Sequence, residues 1–456
     1  MDESLRHRLS HALTKAQADY AEIRLEESQS TRIVYRGQEL EDISHALSFG
    51  GNVRALVRGG WGFICFDGLD ELPSKMELAT AQARLVGKES TRFVPVEPVV
   101  AETAPWLKRD PDAVALAEKK RLLDEYNEVI WGTPNIQTSG ISYSQARRKV
   151  ILANSEGSYI EQSRTDVTLR ITAVARKDGQ VQQATLSLGS LGDYEAISGL
   201  HGQVEELARR AVALLNAPQL KGGEYTVVLD PVLAGIFAHE AFGHLSESDF
   251  VYENQRLKEL MVLGRRFGGQ HLNIVDDPTL PGLRGSYEYD DEGTPARKSY
   301  LIREGVLVGR LHSRETAAKL GEAPTGHARA LDYRHPPLVR MSNTFIEPGQ
   351  LPFSELIADI KEGVYAKNWY GGTTSMEMFT FSAGEAYMIR HGQIAELLKP
   401  VVLTGNVFTT LANIDAIGND LEMNQGGGCG KGDQVPLPVS SGSPHIRIRR
   451  CVVGGG

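Results

Sequence analysis

The segment from residue 230 to residue 244 most constrains the fold, because it places ionisable side chains at the end of an otherwise apolar helix. Asp230 can accept hydrogen bonds from the free amides of a first helical turn. Pro231 suits the first helical position, where an amide donor has no partner in any case. The inward-facing apolar residues that follow are Leu233, Ile236 and Phe237. The segment therefore predicts a buried helix that leads into His239, Glu240 and His244.

Two histidines with a glutamate beside the first are typical of a zinc hydrolase, in which the imidazoles hold the metal and the carboxylate accepts a proton from the activated water. The common H-E-x-x-H pattern separates its histidines by four residues, whereas His239 and His244 are five apart. A regular helix would turn them about 140° apart rather than about 40°. We therefore expect a π-type turn here, with Gly243 supplying backbone freedom. On the residues alone, two ordinary, partly buried histidines and a solvated Glu240 explain the pattern equally well.

A catalytic zinc site normally has a third protein ligand, and the chain has three cysteines, Cys65, Cys429 and Cys451. Cys429 lies in the glycine-rich stretch 424–434, where glycines permit a loop to approach another group closely. The plain alternative is a flexible loop with an incidental cysteine; a phosphate-binding loop is excluded because G-x-x-x-x-G-K-[ST] is not matched. Asp249 is the reserve choice for a third ligand. Cys65 lies in an apolar run, so we expect it to be a small core residue.

Further motifs follow the histidine pair in order along the second half of the chain. They are Asp290-Asp291-Glu292-Gly293-Thr294-Pro295, Pro324-Thr325-Gly326, Arg340-Met341-Ser342-Asn343-Thr344, Gly363-Val364-Tyr365-Ala366, Phe381-Ser382-Ala383-Gly384-Glu385-Ala386-Tyr387, Gly418-Asn419-Asp420-Leu421 and Cys429-Gly430-Lys431. With these motifs and His239-Glu240-Ala241-Phe242-Gly243-His244, the chain resembles the TldD/PmbA (TldD/TldE) family of metallopeptidases, specifically its TldD-like, metal-binding branch. The resemblance is dense from about residue 222 onward and thinner before it.

The resemblance implies a site and an activity. By it, His239, His244 and Cys429 are the ligands of one Zn²⁺ per active chain, and Glu240 is the general base. It also implies a peptidase that hydrolyses short or unfolded peptides, as a homodimer or as a heterodimer with a TldE/PmbA-like subunit. Two alternatives stay open: a catalytically silent scaffold or regulatory subunit of such a complex, and a zinc hydrolase that acts on non-peptide amides.

Other polar residues are candidates for supporting roles. Glu247 and Asp249 lie close enough to His244 to accept a hydrogen bond from an imidazole N–H, although plain solvation explains them equally well. The segment 324–335 is rich in hydrogen-bond donors and has no apolar period, so we interpret it as a functional loop. Its possible oxyanion-stabilising or substrate-binding residues are His327, Arg329, Tyr333 and His335.

Two more segments have a functional and a structural interpretation. The run Asp290 to Glu292 offers oxygen ligands for a hard cation, but the neighbouring glycine and proline favour a turn. The pair Gly371-Gly372 and the strand-like stretch 376–381 suggest an edge to which an extended peptide could add as a strand, or else a plain core strand.

Helices alternate with blocks of strands along the chain, which predicts an α+β fold with mostly antiparallel sheets rather than a doubly wound parallel sheet. We expect two domains. An N-terminal α+β domain spans residues 1–221, with a possible division into two subdomains near 90–110. A C-terminal domain spans 222–456, opens with the metal-binding helix and carries the cysteine loop.

Composition and charge exclude several classes of partner. The formal net charge of −9 and the absence of a basic block argue against nucleic-acid binding, which needs clustered Lys and Arg. No apolar run is long enough to span a bilayer, so we expect no membrane partner. Three widely separated cysteines suit a reducing compartment. The expected location is therefore the cytoplasm.

Overall fold

The N-terminal half is built around one seven-stranded sheet. The structure, a computed structural model, describes residues 2–88 and 93–455. Its N-terminal helices are α1 (Glu3–Leu13), α2 (Leu72–Val86), α3 (Leu116–Trp131) and α4 (His201–Leu214). The strands are β1 (Tyr20–Arg36), β2 (Glu39–Val57), β3 (Gly60–Phe66), β4 (Val100–Thr103), β5 (Ile136–Asn154), β6 (Tyr159–Lys177) and β7 (Gln180–Leu191). Their order is β3-β2-β1-β5-β6-β4, with β7 also on β6, and only the β4–β6 pairing is parallel.

The strands of this sheet are long enough to carry two separate hydrophobic cores. Helices α1 and α2 pack at one end, where Leu9 and Met76 are fully buried. Helices α3 and α4 pack at the other end around Leu123 and Leu207. The same strands β1 and β5 contribute to both cores, so the two parts of the N-terminal half share one sheet.

The C-terminal half has short helices and many strands. The helices are α5 (Pro231–Phe237), α6 (Ser248–Glu253), α7 (Gln255–Leu260), α8 (Arg314–Leu320), α9 (Phe353–Ile357) and α10 (Val407–Ala412). The strands are β8 (Gly223–Leu229), β9 (Ile274–Asp276), β10 (Ser299–Arg303), β11 (Val306–Leu307), β12 (Ala328–Arg329), β13 (Leu338–Val339), β14 (Asn343–Ile346), β15 (Glu362–Ser375), β16 (Met378–Arg390), β17 (Gln393–Leu398), β18 (Val401–Asn406), β19 (Ile414–Ile417), β20 (Glu422–Asn424), β21 (Gly428–Lys431), β22 (Gln434–Pro438), β23 (Ser440–Ser443) and β24 (Ile446–Gly455).

Five of these strands close into a ring. The order β15-β8-β24-β18-β16 returns to β15 through a direct β15–β16 pairing, while β17 and β19 attach to the outside. A second sheet has the order β11-β10-β9-β14-β23-β20, and two ribbons pair β12 with β13 and β21 with β22. Helix α5 leaves the ring directly after β8 and packs in the main C-terminal core through Leu233 and Phe237. The ring therefore sets the position of the helix that leads to the histidines.

Arginine–carboxylate pairs join the N-terminal sheet to the loops of the C-terminal half. Arg24 lies 3.2 Å from Asp291, and Arg54 lies 3.2 Å from Glu292. Both arginines are almost completely buried. The run of acidic residues at 290–292 therefore forms a turn whose charges meet arginines of the sheet, which agrees with the turn interpretation.

The structure confirms an α+β fold with mostly antiparallel sheets. The domain boundary after residue 221 and the division near 90–110 stay predictions. Cys65 was expected in a core, but it is exposed, because its neighbours on β3 turn their side chains alternately and Phe66 takes the buried position. No helix in the described ranges is long and apolar enough to cross a bilayer.

Candidate metal centre

The helix that carries the histidines begins and distorts as the sequence predicts. Asp230 caps α5 by accepting a hydrogen bond from the Leu233 amide at 2.9 Å. After Phe237 the chain makes a π-helical turn over Ala238–Gly243. The extra residue per turn brings His239 and His244 to the same side, so the expected local distortion is confirmed.

Gly243 is needed for close packing rather than for an unusual backbone conformation. Its φ of −56° is ordinary helical geometry. A Cβ at this position would lie 2.1 Å from the Met341 sulfur, which is far inside van der Waals contact. The backbone freedom expected of this glycine is therefore not used, and the absence of a side chain is what matters.

Three ligand atoms converge at the end of this turn. One atom each of His239, His244 and Cys429 lies within 4.8 Å of the other two. The Cys429 sulfur is 3.5 Å from Nε2 of His244, and the two imidazole rings are 5.3 Å apart at an angle of 83°. His239 and Cys429 are buried, and His244 is partly exposed. Residues far apart in sequence thus form one compact group.

Cys429 reaches the histidines on a two-stranded ribbon that Arg340 holds in place. The ribbon pairs β21 with β22, and Cys429 lies opposite Leu437. The fully buried Arg340 donates to the Cys429 carbonyl at 2.8 Å and to the Gln434 carbonyl at 3.3 Å. Sequence analysis assigned no role to Arg340; the only signal was its place at the start of a family motif.

The electrostatics of the group favour a thiolate. Burial alone would raise the pKa of the Cys429 thiol, but the adjacent His239 and His244 lower that pKa to about 5. For His244, burial opposes the charged form, yet Glu247 and the Cys429 sulfur raise its pKa well above the ordinary value. A thiolate at neutral pH is the form in which cysteine binds a metal.

A chain of charged groups extends behind His244. Its Nδ1 lies 3.0 Å from Oε2 of Glu247, which is fully buried. Nζ of Lys431 lies 3.1 Å from Glu247 and 2.7 Å from Asp249. Burial would raise the pKa of the Glu247 carboxyl, but Lys431 and His244 lower it to about 2. Glu247 therefore contacts the imidazole, whereas Asp249 contacts Lys431, a residue that sequence analysis did not single out.

Glu240 lies at the entrance to the group. Its Oε2 is 3.8 Å from Nε2 of His244, and about a third of its side chain is exposed. Glu240 and His244 line a cavity of about 640 Å³, together with Gly430, Lys431 and Met376 near the tip of the β15–β16 hairpin. The cavity gives a molecule from solvent access to the side chains of His244 and Glu240.

The four candidate oxyanion-stabilising residues have other hydrogen-bond partners. His327 contacts Asp276 at 2.9 Å, Arg329 donates to the carbonyls of Met341 and Pro438, Tyr333 donates to Asp67 at 2.7 Å, and His335 contacts Asp332 at 2.7 Å. None of the four is among the described residues that line the cavity beside Glu240. Their role in oxyanion binding stays a prediction.

The residues present fit a zinc ion. Two imidazoles and a thiolate are a donor set that zinc accepts, and tetrahedral zinc holds sulfur and nitrogen ligands about 3.5 Å apart. The distance between the Cys429 sulfur and Nε2 of His244 has this value. Nδ1 of the buried His239 has no hydrogen-bond partner among the described residues. Such an unpaired buried nitrogen is costly unless another group compensates it.

Comparison with known proteins gives full-length matches. Residues 21–84, 109–215 and 222–455 match the family models for PmbA/TldA metallopeptidase domain 1, central domain and C-terminal domain, respectively. A metalloprotease of Synechocystis sp. is 49% identical over 443 residues, which cover 97% of this chain and 96% of the relative. A zinc metalloprotease TldD homolog of Saccharolobus solfataricus is 31% identical over 450 residues, covering 96% and 97%.

A solved structure shows the same fold at lower sequence similarity. TldE from Thermococcus kodakarensis superposes with a TM-score of 0.75 and 19% identity, over 99% of this chain and 100% of that chain. The family models together span most of the sequence, and the Synechocystis relative covers 97% of this chain. The chain therefore belongs to the TldD/PmbA family of metallopeptidases.

Proposed function

We propose that this protein is a zinc-dependent peptidase that hydrolyses short or unfolded peptides. The observation that carries the proposal is the convergence of His239, His244 and Cys429 beside Glu240 at the wall of an open cavity. The zinc metalloprotease name of the Saccharolobus solfataricus relative supports the same metal. His239, His244 and Cys429 would hold one zinc ion per chain.

A bound zinc ion supplies a Lewis acid that polarises a carbonyl group and lowers the pKa of water. The residues of this chain supply orientation and proton transfer. Glu247 accepts from Nδ1 of His244 and so fixes the orientation of that imidazole. Lys431 forms ion pairs with Glu247 and Asp249, which offsets part of the free-energy cost of burying these carboxylates.

Glu240 is the proposed general base and acid. Its carboxylate faces the cavity on the same side as Nε2 of His244. In this position it can accept a proton from the attacking water molecule and transfer it to the nitrogen of the leaving amine. The exchange leaves Glu240 unchanged at the end of the reaction, as a catalyst requires.

The form of the cavity bears on how a substrate binds. Strand β16 pairs with β15 on one side and, over Met378–Ser382, with β18 on the other. An extended peptide therefore has no free edge along Met378–Ser382, whereas Gly371 and Gly372 of β15 lie beyond the pairing of that strand with β8, which ends at Ala366. The substrate is proposed to enter between the hairpin tip at Met376 and the Gly430–Gly432 turn.

The assembly and location also remain proposals. The likeness of fold to TldE of Thermococcus kodakarensis supports either a homodimer or a heterodimer with a TldE/PmbA-like subunit. Native mass spectrometry of the purified protein tests zinc content and assembly together. A dimer with one zinc per chain is expected, and a metal-free species purified without chelator would contradict the ligand assignment. The cytoplasm is the proposed compartment.

The catalytic assignment is tested by Glu240→Ala. We expect full zinc content and peptide hydrolysis reduced by at least about 100-fold, because general acid–base catalysis contributes that much or more. The control is Glu253→Ala, which removes another carboxylate from the wall of the same cavity. Loss of zinc from the Glu240 variant, or undiminished hydrolysis, would contradict the role. Zinc retention in the wild type with hydrolysis of small amides but not peptides would favour the non-peptide alternative.

A further inference from the structure

A separate cavity lies where the N-terminal sheet meets the C-terminal half. Its volume is about 260 Å³. Strands β1, β5 and β6 contribute Arg24, Arg148 and Arg164 to one side, and β12 contributes Arg329 to the other. Leu437 of the β21–β22 ribbon lines the cavity, whereas His239, Glu240, His244 and Cys429 are not among the described residues of its lining.

Three of the four arginines form ion pairs with carboxylates of the sheet. Arg24 and Arg148 share Glu26, at 3.3 and 2.6 Å. Arg164 lies 2.9 Å from Asp166. Nε of Arg24 has no hydrogen-bond partner among the described residues, but protein atoms enclose it. The arginines of the sheet are therefore held in ion pairs within the protein.

Arg329 carries a buried charge without a carboxylate. Its side chain is 4% exposed and donates only to carbonyl oxygens, to Met341 at 2.5 Å and to Pro438 at 2.7 Å. Within the described part of the chain, no ion pair forms to it. Its other neighbour is the ring of Tyr287, 5.1 Å away. A buried cation is costly unless an opposite charge accompanies it.

The charge of Asp291 acts on Arg329 from a distance, but no ion pair forms between the two among the described residues. Asp291 is taken up by Arg24 at 3.2 Å and by the Ala330 amide. Asp290 accepts from the amides of Thr294 and Ala328, and burial, together with the nearby Glu292, raises its pKa well above the ordinary range. Glu288 lies exposed at the rim. The cavity therefore offers an unmatched positive pole.

The rest of the lining is mostly apolar. The apolar contributors are Trp106, Val150, Leu191, Leu280 and Leu437. A small cavity with an apolar wall and one group of convergent charged donors is the usual form of a ligand site. An inorganic anion would leave this wall without contact, whereas an anion with an apolar body would cover it.

We propose that this cavity binds an organic carboxylate with an apolar body, whose carboxylate pairs with Arg329. The guanidinium fork matches the two oxygens of a carboxylate. The ligand is either the C-terminal residue of a peptide or a free small acid. The site does not depend on the proposed peptidase activity, because none of the lining residues named above belongs to the metal centre.

The test is isothermal titration calorimetry on the full chain, with zinc present and after chelation. The probes are N-acetyl-L-phenylalanine, its amide and 3-phenylpropionate. We expect one equivalent of a carboxylate to bind in both conditions, with the amide weaker by about tenfold or more, since a hydrogen bond to a charged group is worth that much. Tighter binding of N-acetyl-L-phenylalanine identifies a peptide end as the source, and tighter binding of 3-phenylpropionate identifies a free acid.

Two variants locate the binding. Arg329→Gln removes the unmatched charge, and Arg176→Gln on the exposed end of β6 is its control. Ala104→Trp fills the cavity from an exposed position and leaves all four arginines intact. Arg329→Gln and Ala104→Trp are expected to abolish or weaken binding at least about tenfold, with Arg176→Gln unchanged. The proposal is overturned if neither carboxylate binds, if the amide binds equally well, if chelation removes the binding, or if Ala104→Trp leaves it intact.

Discussion

The segments 230–249 and 324–340 are both rich in ionisable side chains, but they use them in opposite ways. In the first, His239 and His244 converge with Cys429 in one group of metal-ligand atoms, and Glu240 lies beside His244. In the second, most polar side chains are consumed by the protein itself, as when His327 contacts Asp276 and Arg340 binds two carbonyls. Density of polar residues alone therefore does not mark a reacting group. Convergence of metal-ligand atoms at a shared point does.

The largest effect is expected from Cys429→Ala. Removing a direct ligand should cost more zinc affinity than the 10–100-fold loss typical of a ligand's hydrogen-bond partner, so we expect a loss of at least about 100-fold, and hydrolysis with it. Cys451→Ala is the matched control, because Cys451 is the other buried cysteine and lies on β24. Elemental analysis and competition with a chelator measure the zinc. Full zinc retention in Cys429→Ala would move the third ligand elsewhere.

Arg340→Met tests whether the second segment supports metal binding by the first. The variant leaves the carbonyls of Cys429 and Gln434 without their donor, which should cost about 2–4 kcal/mol in the free energy of unfolding. Because the ribbon then holds its cysteine less firmly, zinc affinity should fall as well. Denaturant unfolding and zinc titration check both. Unchanged zinc affinity in a destabilised variant would show that Arg340 supports the fold alone.

Asp276→Asn tests the buried carboxylate that the second segment contacts, through the pH dependence of stability. Burial would raise the pKa of Asp276, but hydrogen bonds from His327, Ser342 and Thr344 lower it to about 2. The folded pKa is thus below the unfolded value of about 3.9, so the wild type loses about 2 kcal/mol of stability as pH falls from about 4 through 2. The variant should lack this loss. The free energy of unfolding of both proteins, measured across that pH range, tests this prediction, and the exposed Asp178→Asn is the control.

Gly243→Ala examines the contact between the first segment and Met341, the residue directly after the second segment. The added methyl group collides with Met341, so we expect a cost of about 1–3 kcal/mol. The same substitution in a Met341→Ala background should cost less, because the space is then open. A double-mutant cycle of unfolding free energies gives the coupling. Equal costs in both backgrounds would mean that the π-helical turn, rather than this contact, excludes a side chain at 243.

Local features of the metal centre were predictable from the sequence. The cap at Asp230 and the π-helical turn follow from residue types and from a five-residue spacing, and both depend on neighbours within one or two turns. The α+β class likewise followed from alternating helices and strands. The bounds of the strands were harder to predict: β5 continues through the polar residues between Tyr143 and Lys149 because its pairing with β1 and β6 continues there.

Contacts between residues that are far apart in the sequence could be known only from the tertiary structure. Glu247 contacts His244, whereas Asp249 contacts Lys431, which the β21–β22 ribbon brings to it. The same ribbon brings Cys429 to the histidines, and the N-terminal sheet brings Arg24 to the cavity of Arg329. The π-helical turn and the residue types that could form a site follow directly from the sequence. Which of them lie together depends on sheet pairing and burial between distant segments, and no local periodicity encodes these contacts.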